Sequence, residues 1–168
     1  KSTDFPTTNG FDNTLNGNQD AIVFKFNSDL TSLHWSTYLG GANEDAGYSI
    51  KVDKNKDVYV CGGTNSIDFP ITSGSINTSY IGGDVDGYIA KIESNCSSIL
   101  EATYIGTNNY DQCYFIDLDE SGNIYIVGQT EGSFPIINAP YSNPNSGQFI
   151  QKINNTLSAL DYSTVFGN

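Results

Sequence analysis

The chain of 168 residues has no methionine, one tryptophan and one histidine, and it sets only seven lysine and arginine residues against 19 aspartate and glutamate residues. Each shortage removes a class of function. A formal net charge of −12 is repelled by phosphate backbones and anionic headgroups, which argues against a nucleic-acid partner. Uninterrupted apolar runs end after four or five residues, far short of the roughly 20 that a membrane-spanning helix requires. No membrane insertion is therefore expected, and no leader-like segment precedes the first motif. The chain opens at Lys1 in the middle of a recurring pattern, as a mature or excised piece of a longer polypeptide does. His34 stands alone beside Trp35, so neither a catalytic triad nor a zinc set can be assembled around imidazole. Helical periodicity is also missing, because Asn, Ser, Thr and Gly interrupt every apolar run. Without a helix there is no phosphate-binding loop at a helix start.

Three cysteines leave at least one thiol unpaired within the chain. Cys61 lies inside an apolar run and is expected to be a small core residue. Cys96 falls in a turn and Cys113 at a strand start, at opposite ends of a sheet, so a disulfide between them is not expected. Sequons at Asn77, Asn95 and Asn154 occur by chance in a chain this rich in asparagine.

What the chain does contain is one phrase written twice, GYSIKVDKNKDVYVCGGTNS at 47–66 and CYFIDLDESGNIYIVGQTEG at 113–132. Each half-phrase is a strand, and a polar turn joins the two (53–57 and 119–123). The second strands, Val58–Cys61 and Ile124–Val127, are continuous β-branched and aromatic runs, which predicts burial on both faces. Three landmarks extend the repeat. Phe-Pro recurs at Phe5, Phe69 and Phe134, spaced 64 and 65 apart; Lys25, Lys91 and Lys152 are spaced 66 and 61 apart, as are Thr37, Thr103 and Thr164. One unit of about 65 residues thus occurs between two and three times. The shorter interval falls between Thr130 and Lys152, in a loop that has lost residues.

Ten strands follow, at about 20–26, 33–39, 47–52, 58–64, 87–92, 100–105, 114–118, 124–130, 148–153 and 160–166. Four antiparallel strands per unit, with dry middle strands, predict an all-β, partial β-propeller: two complete four-stranded antiparallel blades plus a half blade. The half blade is 1–39, holding the outer two strands, and the blades are 40–105 and 106–168. In the outer strands, such as His34–Leu39 and Glu101–Ile105, polar and apolar residues mix, as at an edge facing water. Gly62 and Gly128, each just after an apolar run, leave room for a bulge or close backbone approach. A β-solenoid is the other repeat architecture, but its coils are shorter than 65 residues and lack hairpin turns such as DESGN. Two blades and a half do not close a ring, since seven at this period take roughly 450 residues. The rest of the ring lies outside this chain, or copies assemble, or other chains cover the open faces; the half blade favours the first.

The ordered set STYLGG (36–41), GYSIKVD (47–53), DVYVCGGT (57–64), DFPIT (68–72) and GDVDGYIAKI (83–92) resembles the SBBP repeat, a bacterial β-propeller repeat, across nearly the whole chain. The hairpin alone is similar to NHL-type propeller repeats. The SBBP resemblance implies an extracellular or cell-surface protein, often large and multidomain and frequent in Bacteroidetes, and it implies no established catalytic residue. The third unit departs from the pattern: GSFPII lacks the acidic residue before Phe-Pro, and GQFIQKI stands where the family has Asp-Gly or Asp-Ala.

In the usual propeller ordering, loops 40–46 and 106–112 open on the same rim as the long loops 65–86 and 131–147. Glu44, Asp45, Asp68, Asp84, Asp86, Tyr110 and Asp111 gather there, with Tyr80 among them. Clustered carboxylates on carbonyl-rich loops can hold Ca²⁺, and tyrosine can stack on a sugar. The alternative is a solvated acidic face whose aspartates cap turns through the backbone. Asp53–Asp57 alternates oxygen ligands as a calcium loop does, but without the glycine and distal glutamate it is a hairpin turn. The expectation is a non-enzymatic module, a binding or adhesion scaffold or spacer. It requires no cofactor unless Ca²⁺ binds the rim. Its partners are other blades or domains of a larger surface protein, glycans or surface proteins. A propeller glycosidase or lyase using rim carboxylates is the competing class.

Overall fold

β-Branched and aromatic runs between Gly, Asn and Asp turns become strands, and the computed structural model, which describes residues 4–167, contains ten: β1 Ala21–Phe26, β2 Leu33–Leu39, β3 Asp45–Val52, β4 Val58–Thr64, β5 Asp86–Ile92, β6 Ile99–Ile105, β7 Asp111–Leu118, β8 Ile124–Thr130, β9 Gln148–Ile153 and β10 Leu160–Phe166. Residues 1–3 of the opening loop and Asn168 lie outside the described residues. No helix occurs among the described residues. Strands pair antiparallel within each sheet, giving a two-stranded sheet β1-β2 and two four-stranded sheets, β3-β4-β5-β6 and β7-β8-β9-β10, while the isolated bridge Gln19–Glu44 is parallel. The fold is an all-β partial propeller.

The turn Asp53–Asp57 is a hairpin turn: the Asp53 amide donates to the Asp57 carbonyl at 3.0 Å, and Asp53 Oδ1 accepts from the amides of Asn55 and Asp57. Asp119 does the same in the next repeat, accepting from Ser121 and Asn123. The bulges fall one repeat apart, between Gly47 and Ser49 and between Cys113 and Phe115. Gly62 and Gly128 lie opposite them, where a Cβ would collide with the carbonyls of Ala46 and Gln112.

Burial follows the side-by-side stacking of sheets. β4 is buried along its whole length. Its Val58 and Val60 pack with Ala21, Val23, Trp35 and Leu39 of the first sheet. Tyr59 and Cys61, on the opposite face, pack with Ile116, Ile124 and Ile126 of the third. Each Phe-Pro ring closes over a strand aromatic: Phe69 lies 4.3 Å from the Tyr88 ring, and Phe134 stacks 4.0 Å from Phe149.

Three expectations need correction. β8 is not dry on both faces; it alternates buried and half-buried residues, because no sheet covers Tyr125 and Val127. The outer strands do not face water either: Ser36–Leu39 and Ala102–Ile105 are buried. The long Phe-Pro loops run along their edges and pair with them, Thr8 with Ser36, Thr72 with Ala102 and Ile137 with Ser163, which covers the edge. Finally, β3, β5 and β7 begin at Asp45, Asp86 and Asp111, so these aspartates are strand residues and not loop residues.

Cys61, Cys96 and Cys113 are free and fully buried. Cys96 is in a turn with φ 62°, and Leu30 and Leu157 adopt the same left-handed backbone in the other repeats. His34 is exposed on β2.

Candidate functional site

The acidic rim separates into two populations. Glu44, Asp68 and Asp84 are exposed and Tyr110 is half-buried, whereas Asp45, Asp86 and Asp111 are shut off from solvent. Asp86 and Asp111 come together beside Gly106, and Glu44 and Asp45 share the wall of one small cavity.

Each buried carboxylate accepts an amide of the loop that precedes its own strand, and Asp45 also holds the loop after β4. Asp45 Oδ2 accepts from the Gly41 amide at 2.8 Å and from Ser66 Oγ at 2.9 Å. Asp111 Oδ2 accepts from the Thr107 amide at 2.6 Å and from Thr107 Oγ1 at 2.8 Å. Asp86 Oδ2 accepts from the Ile81 amide at 2.6 Å. Asp20, eight per cent exposed, accepts from the amides of Asn16 and Gly17. Exposed Asp68 also reaches the backbone, accepting from the Ala42 amide at 2.9 Å.

The buried aspartates form pairs across sheet junctions. A Cβ on Gly40 would lie 2.6 Å from Asp45 Oδ2 and 2.8 Å from Asp20 Oδ1; one on Gly106 would lie 2.8 Å from Asp86 Oδ1 and 2.9 Å from Asp111 Oδ2. Glycine is needed at both positions so that two carboxylates can close on the backbone. The same junction carries backbone bonds from the Asp45 amide to the Gln19 carbonyl and from the Asp111 amide to the Val85 carbonyl. Burial raises the pKa of all four carboxyls, taking Asp86 to about 7, and Asp111 beside it adds to the shift. Oδ1 of Asp45, of Asp86 and of Asp111 is buried without a hydrogen-bond partner, so each of the three carboxyls meets the desolvation penalty on one oxygen. For Asp45 and Asp111 the hydroxyls of Thr64 and Thr130, their partners in the strand register, favour the ionised form.

Asp20 was absent from the sequence-derived set, as were Thr64, Ser66, Thr107 and Thr130. A signal for Asp20 existed, since it precedes Lys25 by the interval at which Asp86 precedes Lys91. In the third repeat that place is Gly147, which ends the series.

No group of three or more His, Cys, Asp or Glu side chains able to hold a metal occurs among the described residues. A small cavity of about 130 Å³ opens on the rim between the inner strands, lined by Glu44, Asp45, Tyr48, Asn65 and Gln112 among others. Gln112 Nε2 donates to Tyr48 Oη at 3.0 Å across the junction. Tyr80 is engaged by the protein itself, donating to the Gly83 carbonyl and meeting Tyr104 edge-on.

Sheets of four antiparallel strands stacked face to face, with a carboxylate clamp at each junction, define a β-propeller segment. The family described as a β-propeller repeat, SBBP, matches residues 34–70 and 102–135, so two stretches of the chain are similar to copies of that repeat. Each stretch starts in or beside an outer strand, β2 or β6, and runs through the next sheet's inner pair to the Phe-Pro loop. No curated protein matches the chain.

Proposed function

We propose that the chain is a non-enzymatic propeller module of a secreted or cell-surface protein, whose rim serves as a binding or adhesion scaffold. One observation carries this reading: each buried rim aspartate spends one oxygen, Oδ2, on an amide of the loop before its strand. Carboxylates used in that way fix loop geometry, and a fixed loop is a good platform for recognition. Glu44, Asp68, Asp84 and Tyr110 are then the presented groups, with surface glycans or surface proteins as ligands and other blades or domains as neighbours. Ca²⁺ enters as a bridging ion between exposed carboxylates and a ligand.

A glycosidase or lyase reading draws on Asp86 and Asp111, where one carboxyl is held near neutrality beside another. Their complete burial puts them out of reach of a substrate, which favours the scaffold.

Binding of the intact chain to arrays of glycans and surface proteins, with and without chelator, tests the proposal. Saturable binding that weakens in Tyr110→Ala or Asp68→Asn supports it, and loss with chelator assigns Ca²⁺ a part. Turnover of a polysaccharide that disappears in Asp111→Asn while the fold persists would overturn it.

A further inference from the structure

Asp86 and Asp111 are 0% exposed and face each other across Gly106, at the junction between the two complete sheets. A Cβ on Gly106 would stand 2.8 Å from Asp86 Oδ1 and 2.9 Å from Asp111 Oδ2, so the glycine leaves a cradle with a carboxylate oxygen on either side. Asp86 Oδ1, the oxygen that faces the cradle, has no hydrogen-bond partner, and neither has Asp111 Oδ1. Two carboxylates enclosed in this way are costly without a positive charge beside them.

No side chain among the described residues supplies that charge. The sequence has no arginine. Lys25, Lys51, Lys91 and Lys152 are the last residues but one of β1, β3, β5 and β9, and Lys54 and Lys56 lie in the turn at 53–57, so all six stand at the end of the strands away from the rim. Their ion pairs, with Asp57, Asp117 and Asp119, are at that end too.

We propose that the junction of the second and third sheets holds one Ca²⁺ ion, with Asp86 and Asp111 as its carboxylate ligands. The neighbouring donors are hydroxyls: Thr107 Oγ1, which donates to Asp111 Oδ2 at 2.8 Å, and those of Thr64 and Thr130, the ladder partners of Asp86 and Asp111. Oxygen donors select a hard cation, and a set drawn from a loop and two sheets suits the irregular coordination of Ca²⁺ better than the octahedron that Mg²⁺ demands. Two carboxylates place the dissociation constant at about 0.1–1 mM, the range of extracellular modules. Burial that shuts out a substrate admits an ion taken up as the chain folds.

The other junction provides the contrast. Around Gly40 the nearest oxygens, Asp20 Oδ1 and Asp45 Oδ2, already accept from the amides of Gly17 and Gly41. No ion is expected there, so the stoichiometry is one per chain. The buried site is separate from an ion that bridges exposed carboxylates to a ligand, and it does not depend on what the rim binds.

The test is calorimetric titration of the isotope-labelled full chain, freed of metal by chelator, with CaCl₂, followed in parallel by amide shifts and thermal unfolding. One saturable site, a midpoint that rises with Ca²⁺ and shifts centred on Asp86, Gly106 and Asp111 are expected, with Mg²⁺ binding more weakly. Gly106→Ala, which fills the cradle, and Asp86→Asn each weaken binding by about tenfold or more. Glu120→Gln, at an exposed carboxylate in the far turn, leaves it unchanged. No saturable binding at millimolar Ca²⁺, two ions per chain, or shifts centred on Glu44, Asp68 or Asp84 would overturn the proposal. Undiminished binding by a folded Gly106→Ala chain would do the same, and if neither variant folds the shift map of the parent chain decides alone.

Discussion

Asp86 and Asp111 approach Gly106 from two sides, 2.8 and 2.9 Å from where a Cβ would stand, and so tie the end of one sheet to the start of the next. The arrangement recurs with Asp20 and Asp45 around Gly40, which makes it a property of the repeat and not of one loop.

Gly106→Ala forces either a buried carboxylate or the backbone to move. The expected cost is about 1–3 kcal/mol, the range for overpacking a tight interior. Chemical denaturation of the variant against the parent chain measures it. An unchanged midpoint means the junction yields freely and the clamp is not rigid.

The pH dependence of stability follows from the raised carboxyl at Asp86. Its folded pKa, about 7, lies above the ordinary 3.8. The folded state therefore holds the proton more tightly than the unfolded state does. The stabilisation is complete below about pH 4 and is lost as pH rises through about 7. Asp20, Asp45 and Asp111, also raised by burial, act in the same direction. Asp86→Asn, neutral at every pH, should flatten the fall in denaturation midpoint between mildly acid and neutral buffer. Parallel profiles for the two proteins would show that Asp86 does not titrate there.

Ile50 and Ile116, equivalent in successive repeats, are exposed and buried respectively and should respond differently to truncation. Ile116→Ala empties a packed junction and is expected to destabilise by about 2–4 kcal/mol. Ile50→Ala removes a side chain that already faces solvent, and the change should stay within about 0.5 kcal/mol. Thermal unfolding of both variants decides the matter; similar losses would mean that Ile50 is covered in solution.

Thiol chemistry offers an independent probe of burial. Burial pushes the Cys61 thiol up to about 12 and that of Cys113 well above its ordinary value, and it also raises Cys96. Thiolate is the reactive form, so an aromatic disulfide reagent at neutral pH should titrate none of the three thiols in the native chain and all of them in denaturant. Fast native reaction at Cys61 would show that the junction between the second and third sheets opens.

Much of the architecture was legible in the residues themselves. Period-two runs, turn chemistry at Asp53 and Asp119 and the recurring Phe-Pro, Lys and Thr landmarks are local signals, and local sterics and hydrogen bonding settle strands and hairpins. Ten strands and their grouping into sheets of two, four and four follow from those signals alone.

Burial is a different kind of property, because it depends on what another part of the chain, or another chain, places opposite a residue. Nothing in DVYVCGGT and NIYIVGQT separates the strand that is dry on both faces from the one that is half open, and nothing local separates Ile50 from Ile116. The carboxylates behave likewise. Sequence placed Asp45, Asp86 and Asp111 among the rim residues, but only the stacking of one sheet on the next enclosed them, paired them across glycine and aimed them at loop amides. Desolvation and close charge are distance effects between segments remote in sequence, and tertiary structure alone sets those distances.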